Sequence, residues 1–326
     1  MVLKPLRELT PTRIKRAGRR ALGLIKSAVP RGPSHDFIQR FRDRPGELYA
    51  AVIGSSMPLK AEPGYIGLQS SLCKQVHFSL DEFRYWSWAI GDRPRLHRKL
   101  WEWFFVIQTL FEHDMLRAGR RGLAFAVGRE RLPALFAARG CEILATDLAT
   151  DRAMSDGWIA SGQHADGLAA LMDTAVCPEA DFLRRVTYRD LDMNAIPDDV
   201  EGFDFCWSSC SFEHLGSLEH GMAFVETAMR TLKPGGIAVH TTEFNLSSND
   251  DTLESKGLSI YRRRDIEELI ARLERAGHRV APIDWTIGEG FVENVVDLPP
   301  YLLDGHLRIR ISDYDCTSIG LAVVKG

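Results

Sequence analysis

From Gly122 onward, short apolar runs alternate with longer stretches in which apolar positions recur every three or four residues. The runs at 123–127, 142–146, 186–188, 203–207 and 237–241 predict strands, and two late runs at 280–283 and 319–324 predict two more. The stretches at 132–139, 218–232 and 265–276 predict helices, the first and last closed by Gly140 and Gly277. Leu232-Lys233-Pro234-Gly235-Gly236 reads as the stop of the middle helix and its handover to a buried strand. Strands alternating with helices of this length predict an α/β fold with a doubly wound, mostly parallel, seven-stranded sheet. The last two runs are joined by a long segment without helical rhythm, so they are expected to pair as an antiparallel C-terminal edge.

Upstream the rhythm changes. Residues 35–115 read as helices and loops, broken at Pro45-Gly46, Pro63-Gly64 and Gly91-Asp92-Arg93-Pro94. Within them Phe83, Tyr85, Trp86, Trp88, Trp101, Trp103, Phe104, Phe105 and Phe111 form a dense aromatic belt. A helical cap packed on the core is the plain reading, and its rings could also line a ligand cleft. Residues 1–34 form a basic arm with nine Lys/Arg against the single acid Glu8, net +8, which leaves −11 on the rest of a chain whose total is −3. Leu6, Ile14, Ala21, Leu22 and Ile25 could give it a narrow apolar stripe. Such an arm suits an anionic membrane surface, or a solvated tail lying on its own acidic body. The acidic remainder would repel phosphates, so no nucleic acid is expected as partner. The chain thus divides into a 1–34 arm, a 35–115 cap and a 116–326 domain with an insertion at 286–316.

Composition narrows the class. At 326 residues, 45% hydrophobic and 26% charged, the chain can bury a full core. Its six cysteines are scattered with no Cys-x-x-Cys pair, which suits reduced thiols in a cytosolic enzyme. No apolar run approaches the roughly 18 residues that span a bilayer. The start of the chain also lacks the apolar core and cleavage site of a secretory signal. A cytoplasmic protein, at most peripheral to a membrane, is the expectation.

Phe203-Asp204-Phe205-Cys206-Trp207-Ser208-Ser209, followed some thirty residues later by the segment from Leu232 to His240, resembles the back half of the class I S-adenosylmethionine-dependent methyltransferases. The resemblance covers roughly residues 115–326. It implies a Rossmann-like domain with S-adenosylmethionine as cofactor and a ligand cleft at the carboxyl ends of the strands. In that family the loop after the first strand reads acidic-x-Gly-x-Gly-x-Gly. Here Ala124-Phe125-Ala126-Val127-Gly128-Arg129-Glu130 keeps only Gly128, with Ala126 in place of the first glycine and Glu130 in place of the third. Asp147, nineteen residues after Gly128 and followed by Leu148, would take the ribose hydroxyls, a role it could equally play toward NAD. Asp192 would accept from the adenine amino group while Met193 packs on the ring, with Asp190 as the competing position.

Ser208-Ser209-Cys210-Ser211-Phe212-Glu213-His214 resembles the post-strand segment that many small-molecule methyltransferases end in Glu-His. Ser208 would then sit against the cofactor, with Glu213 and His214 toward the substrate. An ordinary imidazole titrates near 6.5, so a neutral His214 could take a hydroxyl proton; capping a helix or orienting the loop is its plain alternative. Glu243, with Glu213 and His214, could take a divalent ion, but such trios arise often by chance and no metal is assigned. The expected function is methyl transfer to a small-molecule or glycan acceptor, at oxygen, with His214 as general base. A binding or scaffold protein that kept the fold, and an NAD-dependent Rossmann enzyme, are the alternatives. The missing Gly-x-Gly-x-x-Gly turn counts against the second.

Overall fold

A computed structural model describes residues 45–54, 57–59, 61–155, 164–301, 303 and 305–326. The basic arm, and with it the readings of a membrane-contacting stripe, lies outside the described residues.

The chain enters through helix α1 (Pro45–Ile53), strand β1 (Ser70–Leu72) and helices α2 (Asp81–Ala89) and α3 (Arg98–Glu112). The alternating part then runs β2 (Arg121–Phe125), α4 (Leu132–Ala138), β3 (Glu142–Asp147), α5 (Thr150–Ser155), α6 (Leu168–Leu171), α7 (Glu179–Arg185), β4 (Val186–Asp190), β5 (Phe203–Ser209), α8 (Leu218–Ala228), β6 (Leu232–Asn245) and α9 (Arg263–Arg275). Short strands β7 (Arg279–Val280), β8 (Ile283–Asp284), β9 (Val296–Asp297) and β10 (Arg308–Ile311) precede the long β11 (Tyr314–Val324).

The main path of the sheet is β4-β3-β2-β5-β6-β11-β1-β8. From β4 to β6 all pairings are parallel, and β11 joins β6 antiparallel. Strand order reverses at β2, from which β3 and β4 step one way and β5 and β6 the other; this is where an open sheet leaves a crevice at its carboxyl edge. The doubly wound architecture matches the sequence expectation. The far side is richer than the seven strands predicted: among the described residues the sheet has eleven. The run at 280–283 splits, so that Val280 pairs with Val323 of β11 while Ile283 pairs with Ser70 of β1. β1 from the cap region lies between, and β11 is therefore not an edge strand.

Both faces of the central strands are buried, because helices cover each side. Ala124, Phe205, Trp207 and Val239 join the cluster beneath α2, α3 and α4. Their neighbours Phe125, Cys206 and Ala238 join the cluster beneath α8 and α9. The aromatic belt forms much of the first cluster: Phe83, Trp86, Trp101, Phe104 and Phe105 are buried in it. The indole donors there are satisfied, Trp86 Nε1 by Gln108 Oε1 at 2.6 Å and Trp101 Nε1 by His77 Nδ1 at 2.8 Å. Helix α3 packs directly on β5, β6 and β11.

The Pro-Gly-Gly segment departs from expectation. The helix ends at Ala228, and Pro234-Gly235-Gly236 lies inside β6 as an irregularity. Leu232 pairs with Phe203, and pairing resumes at Ile237 with Phe205. Gly235, at φ 76°, takes the left-handed conformation the excursion needs. The freed backbone is tied to the chain end by Gly235 N to Lys325 O and Lys325 N to Gly236 O, at 2.9 and 2.8 Å.

Candidate active site

A cavity of about 350 Å³ opens at the carboxyl ends of β2, β3 and β5, beside the reversal of strand order. Its walls include Ala126, Gly128, Asp147, Leu148, Asp192, Met193 and His214, the strand-end positions read from the sequence. Ser208 and Glu213 do not line it.

The turn after β2 sets one end. Ala126 has φ 46° and Gly128 φ 54°, so both occupy left-handed backbone. The alanine accepts a conformation that favours glycine, at on the order of 1–2 kcal/mol. The turn therefore takes left-handed backbone at the first two glycine positions although only one glycine remains. Val127 N donates to Thr146 O at 2.9 Å, locking the loop to β3. Glu130, at the third glycine position, is buried at 7% exposure and also lines the cavity. Trp207 Nε1 donates to its Oε1 at 2.6 Å. Burial pushes its carboxyl up to about 8, with the hydrogen bond from Trp207 pulling the other way.

Asp147 caps the end of β3. Its Oδ2 accepts from Gly128 N at 3.0 Å and Ala165 N at 3.2 Å, and its Oδ1 from Leu148 N at 2.8 Å. A carboxylate offers about four lone-pair positions, so roughly one remains, on Oδ1, for a further donor. Burial raises its pKa, opposed by those three amides. Asp192 is the N-cap of a short turn: Asn194 N donates to Oδ1 at 2.9 Å, and Arg152 Nη1 to Oδ2 at 3.2 Å. The adjacent Leu191 and Met193 present apolar surface to the cavity. Asp190 is exposed and outside the lining.

The pleat of β5 decides the serines. Ser208 turns away from the cavity, fully buried, and shares a 2.8 Å hydrogen bond with Nδ1 of the equally buried His240. Ser209, one residue on, faces the cavity. Burial lowers His240 to about 3, so it is a neutral core imidazole. Cys210 follows at φ 46° and turns the chain into the Phe212–His214 turn. Glu213 is completely buried there, and Thr242 Oγ1 donates to its Oε2 at 3.0 Å. His214 sits at the cavity wall, with Nδ1 2.6 Å from Gly257 O. A carbonyl oxygen can only accept, so Nδ1 carries a proton toward Gly257 O, and Nε2 is the ring's other nitrogen.

The remaining wall comes from α3 through Lys99, Glu102 and Trp103. Of the aromatic belt named above, Trp103 alone lines this cavity. Lys99, Glu102 and Glu130 were not read as site residues. A signal existed for the first two, since Arg98-Lys99 and Glu102 interrupt an otherwise apolar, aromatic helix at one-turn spacing.

Residues 123–240 match the family model described as a methyltransferase domain. That segment is a methyltransferase domain, with the glycine loop, the β3 acid and the Glu-His turn inside it. No curated protein sequence is significantly similar to the chain. Solved structures to which the chain is similar include the glycopeptide N-methyltransferase MtfA complexed with sinefungin, at 16% identity and TM-score 0.40 over 67% of this chain and 92% of that one. Another is the DhpI-SAM-HEP complex, at 14% identity and TM-score 0.36 over 68% and 87%. A third is an S-adenosylmethionine-dependent methyltransferase from Mesorhizobium loti, at 14% identity and TM-score 0.40 over 67% and 96%.

Proposed function

We propose that the protein transfers the methyl group of S-adenosylmethionine to a hydroxyl of a small-molecule or glycan acceptor, with His214 as the general base. The observation that carries this reading is the single cavity at the strand reversal of a methyltransferase domain, lined by Gly128, Asp147, Asp192, Met193 and His214 together. The residues present fit the donor. Asp147 keeps about one acceptor position for a ribose hydroxyl. Leu191 and Met193 offer an apolar face for the adenine ring, and Asp192 an acceptor at its edge. When bound, the donor supplies an electrophilic methyl on a sulfonium. The protein's contribution is alignment, exclusion of water and removal of the acceptor's proton.

The acceptor would enter by the wall made of Lys99, Glu102, Trp103, Ser211 and His214. These polar groups around one indole suit a hydroxylated molecule. With Nδ1 turned to Gly257 O, His214 has Nε2 as its base. Glu213 acts at a distance: its bond from Thr242 and its backbone link to Ser259 N at 2.8 Å hold the turn that carries His214. The test is calorimetry with S-adenosylmethionine, followed by transfer of labelled methyl to a panel of hydroxylated acceptors. Donor binding with labelled O-methyl product supports the reading, and a folded protein that gives no heat with the donor sinks it.

A further inference from the structure

Beneath the cavity floor, three side chains converge that the methyl-transfer reading does not use for chemistry. Among the described residues, Cys210, Glu213 and Glu243 bring the Cys210 sulfur and one oxygen of each carboxylate within 4.8 Å of one another. All three are more than nine-tenths buried, and Cys210 also touches the cavity. They come from three places that the topology joins: the turn after β5, the short Phe212–His214 turn, and the part of β6 that pairs with β11.

Among the described residues, their polar atoms are incompletely satisfied. Glu213 Oε2 accepts from Thr242, and its Oε1 has no partner. Glu243 Oε1 is ion-paired to Arg98 Nη2 at 2.6 Å, and its Oε2 has no partner. A buried carboxylate oxygen without a donor costs on the order of 1–3 kcal/mol or more. Each of the two carboxylates that converge with the Cys210 thiol carries one such oxygen, which calls for an occupant. Arg98 and Lys99 both pair with Glu102, at 3.4 and 3.3 Å.

We propose that Cys210, Glu213 and Glu243 form a binding site for a single divalent ion of the zinc class. A thiolate among the donors favours zinc or cobalt over magnesium or calcium. Three protein donors would leave one coordination position open, as zinc sites that do chemistry have.

The full-length protein, stripped by chelation and free of methyl donor, is titrated with Co²⁺. The expected result is a near-ultraviolet thiolate-to-cobalt band that saturates at one ion per chain and is displaced by Zn²⁺. Cys210→Ser should abolish the band, and Glu243→Gln should weaken binding by about 10-fold or more. No saturable band, or a band unchanged in Cys210→Ser, overturns the site. Should that variant misfold by circular dichroism, native mass spectrometry of the wild-type chain with Zn²⁺ decides instead: one retained ion supports the site and none overturns it. Because no donor is present, failure here leaves the methyl-transfer reading standing on its own calorimetric test.

Discussion

Replacing Glu130 by glutamine tests the electrostatics of the cavity most directly. Glu130 is 7% exposed, its Oε1 bonded by Trp207 Nε1, and burial moves its carboxyl from the usual 4.5 to about 8. Between those values the folded protein holds a proton that the unfolded chain has released. Stability from this group is therefore complete below pH 4.5 and is lost as pH rises toward 8. At 1.36 kcal/mol per pKa unit, the loss accumulated by pH 7 is about 3 kcal/mol. Glutamine keeps a carbonyl oxygen for Trp207 and has nothing to ionise. Glu130→Gln should match the wild type near pH 5 within about 1 kcal/mol and exceed it by about 3 kcal/mol at pH 7. Urea denaturation at pH 5, 6, 7 and 8 measures the gap. A gap that stays constant across the series would refute the reasoning, because it would mean that Glu130 does not carry the proton.

Asp147→Asn should weaken donor binding by about 1–3 kcal/mol, read by calorimetry, and should also lower the melting temperature, since the carboxylate satisfies three backbone amides. Unchanged donor affinity would move the ribose site elsewhere. His214→Ala should slow turnover by about 100-fold or more while leaving donor affinity within about twofold; equal turnover removes it as base. Gly122→Ala places a Cβ 2.4 Å from the Phe205 ring and 2.9 Å from Ile143, and should destabilise the fold by about 1–3 kcal/mol in chemical denaturation. A neutral result would mean that the β2–β5 packing yields more readily than its geometry indicates.

Much of the architecture was legible in the sequence. Buried parallel strands need continuous apolar runs, and covering helices need a one-face rhythm, so 123–127, 203–207 and 265–276 announce themselves. The strand-end acids followed from counting along that pattern. Short two- and three-residue strands such as β1 and β8 have no periodicity to read, and β1 pairs with partners more than two hundred residues away. The Pro-Gly-Gly stop was misplaced because a local turn signal does not distinguish a helix end from a bulge within a strand.

By itself the sequence determined the alternation of strands and helices and the acids and histidine at the strand ends, because these follow from local spacing. Only the tertiary structure decided which face each residue serves. The pleat sends Ser208 to His240 and Ser209 to the cavity, so the serine chosen from the motif is one residue from the one that lines the site. Folding also buries Glu213 with Cys210 and Glu243, and raises Glu130 by removing water from around it. Contacts between distant elements and the loss of solvent are properties of the packed chain, and no spacing along the sequence encodes them.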